Sequence, residues 1–176
     1  MRRPVVAAIA VALSVPLGLV AQAAPRAAQP HSGGAFVVGG GRYDISECAI
    51  NFSVSAHQSP GGANGTQTAT QSNAPGAIPG CPGQGHVKAT VTCIAVSGNQ
   101  AEVQGVVTEA TGAMGPPFSN VGDVFITDVQ DNGNPSSGTP DRIQQEDLPP
   151  GSTSGCSAPT SDEVFTVDNG NVTVHG

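Results

Sequence analysis

The chain predicts an all-β fold, a small antiparallel β-sandwich or partly closed barrel with two disulfides, and three observations carry that expectation. Apolar and polar residues alternate through several tracts rich in Val and Thr, the pattern of a half-buried strand. Turn formers punctuate these tracts: 24 Gly and 15 Pro stand among 176 residues, with little helix-period patterning between them. Four cysteines follow what reads as an export signal, and so suit two bridges better than free thiols.

Met1 to Ala23 has the layout of a secretory signal peptide. Arg2 and Arg3 supply the charge, Val5 to Val20 the apolar run, and Ala21-Gln22-Ala23 the small-residue cleavage site. Pro16 and Gly18 interrupt the run, which is short for a membrane span. The Arg pair lacks the flanks of twin-arginine export, and no Cys follows the cleavage site to take a lipid. The terminal GNVTVHG carries no apolar tail or sorting signal. The expectation is a protein secreted to the outside of the cell, with no membrane attachment after cleavage. Residues 24–34 read as a disordered Pro/Ala/Gly arm, and residues 35–176 as one β-domain large enough to bury a core. After cleavage, Arg26, Arg42, Lys88 and Arg142 stand against 13 acidic residues, a net charge of −9. So acidic a chain offers no footprint for nucleic acid or an anionic membrane.

Along the domain, Ala35 to Val38 predicts a short strand closed by Gly39-Gly40-Gly41. Asp44 to His57 predicts a longer one, with Cys48, Ile50, Phe52, Val54 and Ala56 alternating against Glu47, Asn51, Ser53, Ser55 and His57. Gln58 to Gly85 is a stretch of 28 residues without a charge. It reads as a long loop stapled by Cys81, with at most a weak strand at Thr66 to Gln71.

His86 to Ala110 is the organising hairpin. Val87 to Val96 and Gln100 to Glu109 flank Ser97-Gly98-Asn99, where Gly and Asn tolerate a reversal. A two-residue loop at Gly98-Asn99 would set Ile94 against Val103, but Cys93 and Val91 against Gln104 and Val106. A three-residue loop pairs Cys93 with Val103, Val91 with Gly105 and Ala89 with Val107, which gathers the apolar residues on one face. A one-residue slip inverts every side chain, so the three-residue loop is expected, with Cys93 pointing into the core.

Thr111 to Asn120 is a Gly/Pro loop. Asp123 to Gln130 predicts a strand, with Val124 and Ile126 on one face and Phe125, Thr127 and Val129 on the other. Asp131-Asn132-Gly133 ends it, Asp141 to Gln145 resumes as another, and Glu146 to Thr160 is a loop carrying Cys156. The closing VFTVDNGNVTVHG predicts a hairpin turning at Asn169-Gly170, pairing Val167 with Val172 and Phe165 with Val174.

Four cysteines permit three pairings. Cys48 and Cys93 lie on apolar strand faces, Cys81 and Cys156 in Gly/Pro-rich loops. On neighbouring strands the Cβ atoms of Cys48 and Cys93 would be about 4.5–5.5 Å apart, wide for an unstrained bridge. Cys48–Cys81 with Cys93–Cys156 is therefore preferred; Cys48–Cys93 with Cys81–Cys156 stays open for strands in facing sheets.

Three tracts in order, VTCIAVSGNQAEVQGVV, DNGNPSSGTPDRI and GNVTVH, resemble the post-COAP-1 domain of secreted bacterial proteins. The resemblance rests on Val91-Thr92-Cys93, Val96-Ser97-Gly98-Asn99, Ala101, Gly105, Asp131-Asn132-Gly133, Gly138 to Ile143 and Gly170-Asn171-Val172, and covers most of the chain from about Gly39. It implies a small extracellular β-domain and brings no catalytic residues with it. The long neutral loop and the extra cysteine pair depart from the family.

Asp128, Asp131, Asn132 and Asp141 are the candidate metal ligands, since hard oxygens around a Gly-containing turn suit Ca²⁺. Their spacing is not that of an EF-hand, and Asp-Asn-Gly is also ordinary turn chemistry. His57 and His86 flank the long loop, two imidazoles where zinc needs three or four ligands. No G-x-S-x-G elbow is present, since GSTSG at Gly151 to Gly155 puts Thr153 at the nucleophile position. Phosphate-binding glycine motifs are absent. With no Trp and a single Tyr, Tyr43, an aromatic sugar platform is not expected. No catalytic or cofactor-binding residue is expected. The leading expectation is a secreted structural or interaction module with an extracellular partner, using the long loop and the Asp131 turn as contact surfaces. A calcium-stabilised binding module and an extracellular hydrolase are the alternatives.

Overall fold

The computed structural model describes residues 34–45, 48–73, 81, 83–115, 119–134, 136, 138–152, 155–157 and 165–176. The expected signal peptide and all but the last residue of the expected arm lie outside the described residues. Among the described residues there are nine strands: β1 (Phe36–Ile45), β2 (Cys48–Ser59), β3 (Gly62–Asn73), β4 (Gly85–Ser97), β5 (Gln100–Gly112), β6 (Val124–Gln130), β7 (Arg142–Leu148), β8 (Phe165–Thr166) and β9 (Asn169–His175).

They form one antiparallel sheet in the order β8-β7-β6-β5-β4-β3-β2-β1-β9. β8 and β9 are adjacent in sequence yet occupy opposite edges, so the sheet curls into a half-barrel until its edges come together. The fold is thus the partly closed barrel of the two expected architectures. Alternation places Val37, Tyr43, Ile50, Phe52, Val54, Ala56, Val87, Ala89, Val91, Ala101, Val103, Phe125, Val129, Ile143 and Val172 in one buried interior. The two bridges are Cys48–Cys81 and Cys93–Cys156, the preferred pairing.

Four expectations are corrected. The uncharged stretch after His57 is not a long loop: its first half is β3, paired along 12 positions with β2 and 6 with β4. Its inward residues include Ala63, Gly65, Gln67 and Ala69, which bury too little apolar surface to advertise a strand. Backbone pairing on both sides holds it instead. Residues 74–80 of that stretch lie outside the described residues.

The triple glycine does not close β1 but runs through it, between β2 and β9. A Cβ on Gly41 would lie 2.5 Å from the Asn169 carbonyl and 2.7 Å from Val167 Cγ1, so this position needs glycine for close approach rather than for a turn.

In the β4–β5 hairpin the turn is the two-residue one, with Ser97 opposite Gln100 and Ile94 opposite Val103. A bulge at Thr92 then shifts the register, so that Val91 meets Gly105 and Ala89 meets Val107 as the three-residue loop predicts. A second irregularity between Lys88 and Ala89 restores the original register. The bulge lets both halves bury apolar residues: Ile94 and Val96 pack on the core below it, Val91 and Ala89 lie inside above it. Cys93 consequently faces outward, in register with Gln104, and not into the core.

The closing residues do not form a hairpin. β8 pairs with β7, and β9 pairs with β1 from Phe36–His175 to Arg42–Asn169. Seven pairs with an otherwise open edge outweigh the short local turn that Asn169-Gly170 would make. Val167 and Val172 are still buried together, through the barrel rather than through a turn.

Candidate functional site

The seam of the barrel carries a dense polar arrangement. β9 turns one edge toward β1; the amides of its other edge would be orphaned there, at a cost in free energy. The Val172 amide donates to Asp141 Oδ2 at 2.7 Å and the Val174 amide to Asp131 Oδ2 at 3.0 Å. The remaining oxygens are also engaged: Asn132 N donates to Asp141 Oδ1 at 2.9 Å, and Gly133 N to Asp131 Oδ1 at 2.8 Å. Two carboxylates therefore stand where a neighbouring strand would be, and bonds to an ionised acceptor are the stronger kind. Asp141 is buried, and its carbonyl accepts the Val167 amide where the chain crosses the seam.

The β4–β5 turn joins the same knot. Asp131 N donates to the Asn99 carbonyl, and Asn99 Nδ2 returns a bond to the Asp131 carbonyl, both at 2.8 Å. The three tracts that carry the resemblance, distant in sequence, thus meet through Asn99, Asp131–Asp141 and Val172. Two shallow depressions flank the knot. One, of about 410 Å³, is lined by Asp131, Gly133, Asn134, Asn171 and Thr173. The other, of about 300 Å³, is lined by residues that include Pro140, Asp141, Asp168 and Asn169.

Of the candidate metal ligands, Asp131, Asn132 and Asp141 come together, but each carboxylate oxygen faces a backbone N–H. Asn132 Nδ2 is spent on the Pro140 carbonyl at 2.8 Å. Asp128 lies apart on the outward face of β6, in register with Glu102 and Gln144. Among the described residues, no group of three or more His, Cys, Asp or Glu is arranged to hold a metal ion. His57 and His86 do not approach each other: they lie opposite Asn64 and Thr70 of β3, roughly 20 Å apart along the strand. His57 and His175 instead flank the Phe36 ring, and His86 Nδ1 shares a 3.0 Å hydrogen bond with Thr70.

A second polar group, which the sequence reading missed, lies at the opposite end of β6 and β7. The inner face of that strand pair grades from apolar to acidic. Val129 and Ile143 are followed by Thr127 and Gln145, then by Phe125 and Asp147. Tyr43 donates to Gln145 Oε1 at 2.9 Å, and Gln145 Nε2 to Thr127 Oγ1 at 3.0 Å. Burial pushes the Tyr43 phenol far above its usual range. Asp123 continues the inward series of β6 and is 4% exposed; its Oδ2 accepts Asn120 N at 2.7 Å and Asn120 Nδ2 at 3.2 Å.

Burial raises the Asp147 carboxyl above its ordinary value; the Ser119 hydroxyl opposes the shift and the Asp123 charge adds to it. Neither Asp147 oxygen has a donor at full hydrogen-bond geometry, so Ser119 lies near without satisfying it. Asp123 Oδ1 and Gln67 Oε1 are likewise buried without a partner. A legible signal existed in part. Asp123 falls on the same face as Phe125, Thr127 and Val129, but Asp147 becomes visible only if the strand after Asp141 is carried past Gln145.

On the outer face, Cys93–Cys156 ties residues 155–157 over β4 and β5. Glu102, buried there, accepts Gln104 Nε2 at 2.6 Å and Ser157 N at 3.3 Å. Disulfides of this kind belong to an oxidising compartment. Among the described residues no helix is long and apolar enough to cross a membrane. No family model, curated protein or solved structure matches the chain.

Proposed function

We propose that this protein is an exported β-domain of the post-COAP-1 kind that serves as a structural or interaction module, with the seam around Asp131 and Asp141 as its contact surface. One observation carries the reading: tracts from three distant parts of the chain meet in a single hydrogen-bonded knot, flanked by two polar depressions. The carboxylates at the knot hold the barrel together, which leaves the exposed Asn134 and Thr173 as the groups available to a partner. The charged residues lining the depressions are all acidic, Asp131, Asp141 and Asp168, and the first two are engaged by backbone amides, which suits a polar partner surface without excess negative charge. The two disulfides support export, and the chain's acidity supports a partner that is neither nucleic acid nor anionic lipid.

The test is retention of extracellular proteins from the native culture on immobilised mature chain, compared with an Asn134→Arg/Thr173→Arg variant whose circular dichroism matches wild type. The reading expects a partner held by wild type and released by the variant. Equal retention by both, or none by either, overturns it.

A further inference from the structure

We propose that the inner acidic end of the barrel, formed by Asp123, Asp147, Ser119 and Gln67, is a site for a hard divalent cation of the calcium class. It is distinct from the Asp131–Asp141 seam, at the other end of β6 and β7, where every carboxylate oxygen already has a backbone donor.

Register brings the groups together. Asp147 lies opposite Phe125 across β6–β7, and Asp123 is two residues from Phe125 on the same inward face. Asp123 is held there by its backbone, since its carbonyl accepts the Val107 amide at 2.9 Å. Gln67, fully buried on β3, reaches past Gly105 and donates Nε2 to the Phe125 carbonyl at 2.8 Å. Its Oε1 is left beside that carbonyl with no donor. Gly105 makes this reach possible, because a Cβ there would stand 2.9 Å from Gln67 Nε2. Ser119, also buried, adds a hydroxyl.

The unmet atoms are all oxygens: Gln67 Oε1, Asp123 Oδ1 and both oxygens of Asp147. Burying carboxylate without a donor or a cation is costly. No side-chain cation among the described residues answers it. Arg42 is paired with Asp44 at 2.7 Å, Lys88 is exposed opposite Glu109, and Arg142 is exposed at the far end of β7. Two carboxylates, an amide oxygen and a hydroxyl are hard donors without sulfur or imidazole. That set excludes the soft metals and fits Ca²⁺, whose coordination is flexible enough for an irregular cradle.

The experiment is calorimetric titration of chelator-treated mature protein with CaCl₂, together with thermal melts in chelator and in excess CaCl₂. Wild type is expected to bind one Ca²⁺ and to melt about 5–10 °C higher at a hundredfold excess over Kd. Asp147→Asn and, independently, Asp123→Asn should lose the heat and the shift, while Asp128→Asn keeps both. In chelator, Asp147→Asn should melt no lower than wild type, since it removes a buried charge. No heat and no shift in wild type would overturn the site and leave a carboxyl pair that shares a proton. Binding abolished by Asp128→Asn but kept by Asp147→Asn would overturn it in favour of a cation elsewhere.

Discussion

Replacing Asp141 by Ala tests whether two carboxylates really stand in for a missing strand. The substitution strips the acceptor from two amides, Val172 N and Asn132 N. A hydrogen bond to a charged group contributes about 1.5–3 kcal/mol, and an abandoned buried donor costs about 1–3 kcal/mol. Val172 is fully buried, so its amide finds no water and belongs at the upper end. Asn132 is half-buried and recovers solvent, which places it at the lower end. Together they set a loss of about 3–5 kcal/mol, a large share of the roughly 5–15 kcal/mol that holds an ordinary domain. Asp141→Asn keeps one acceptor oxygen and should lose about half as much. Asp131→Ala should cost less than Asp141→Ala because its site is more open. The double variant should cost less than the sum, because either change alone begins to free the same edge of β9. Urea unfolding followed by far-ultraviolet circular dichroism gives each value. A loss below about 0.5 kcal/mol for Asp141→Ala, the scale of an indifferent surface change, would refute the reasoning.

Three further outcomes are expected. Cys93→Ser with Cys156→Ser opens a loop with a separation of 63 residues and should cost about 4 kcal/mol in the chain-entropy picture; limited proteolysis should then cut near residues 155–157, and an unchanged melt with intact chain would contradict it. Tyr43 is the single tyrosine of a chain without Trp, so absorbance at the phenolate band reports it alone. Its folded pKa is raised, so its contribution to stability is full below the ordinary value of about 10 and is lost as pH climbs above it. Phenolate should therefore appear together with loss of circular dichroism, and a reversible titration near pH 10 in folded protein would count against burial. Gly41→Ala should destabilise by about 1–3 kcal/mol through collision with the Asn169 carbonyl, whereas Gly61→Ala, with only the Ser59 hydroxyl at 3.8 Å, should be near neutral; equal melts for the two would dispose of the close-approach argument.

What could be read from the sequence follows physical lines. β2 was legible because Ile50, Phe52, Val54 and Ala56 are large enough to mark a face. β3 was not, because Gly65, Gln67 and Ala69 mark nothing, and its pairing partners are known only once the sheet exists. The β4–β5 register could not be settled by choosing one loop length, because a bulge at Thr92 lets two registers share one hairpin. For the same reason a single register turns Cys93 inward, whereas the bulge turns it outward; its bridge to Cys156 follows the preferred pairing. At Asn169-Gly170 local turn chemistry argued for a hairpin; pairing with β1 prevailed, a non-local term that no short window contains. Asp131 and Asp141 stand out in the sequence as hard oxygens around a turn, and the structure does bring them together. Their oxygens meet backbone amides, two of the local turn and two of β9, and the β9 pair is invisible until that strand crosses the seam. Asp123, Asp147 and Gln67 carry no joint sequence signal, because they come from β3, from β7 and from the residue just before β6, and share no motif.

Backbone amide hydrogen exchange at Val172 and Val174 tests the closure of the barrel most directly. These two amides have no strand beside them, only the carboxylates of Asp141 and Asp131. They should exchange as slowly as the paired amides of β1 and β2, and in Asp141→Ala the Val172 amide should exchange far faster. Val172 and Val174 exchanging in the folded wild type at the rate of free edge amides would mean that the seam is open and the half-barrel is not held shut by these aspartates.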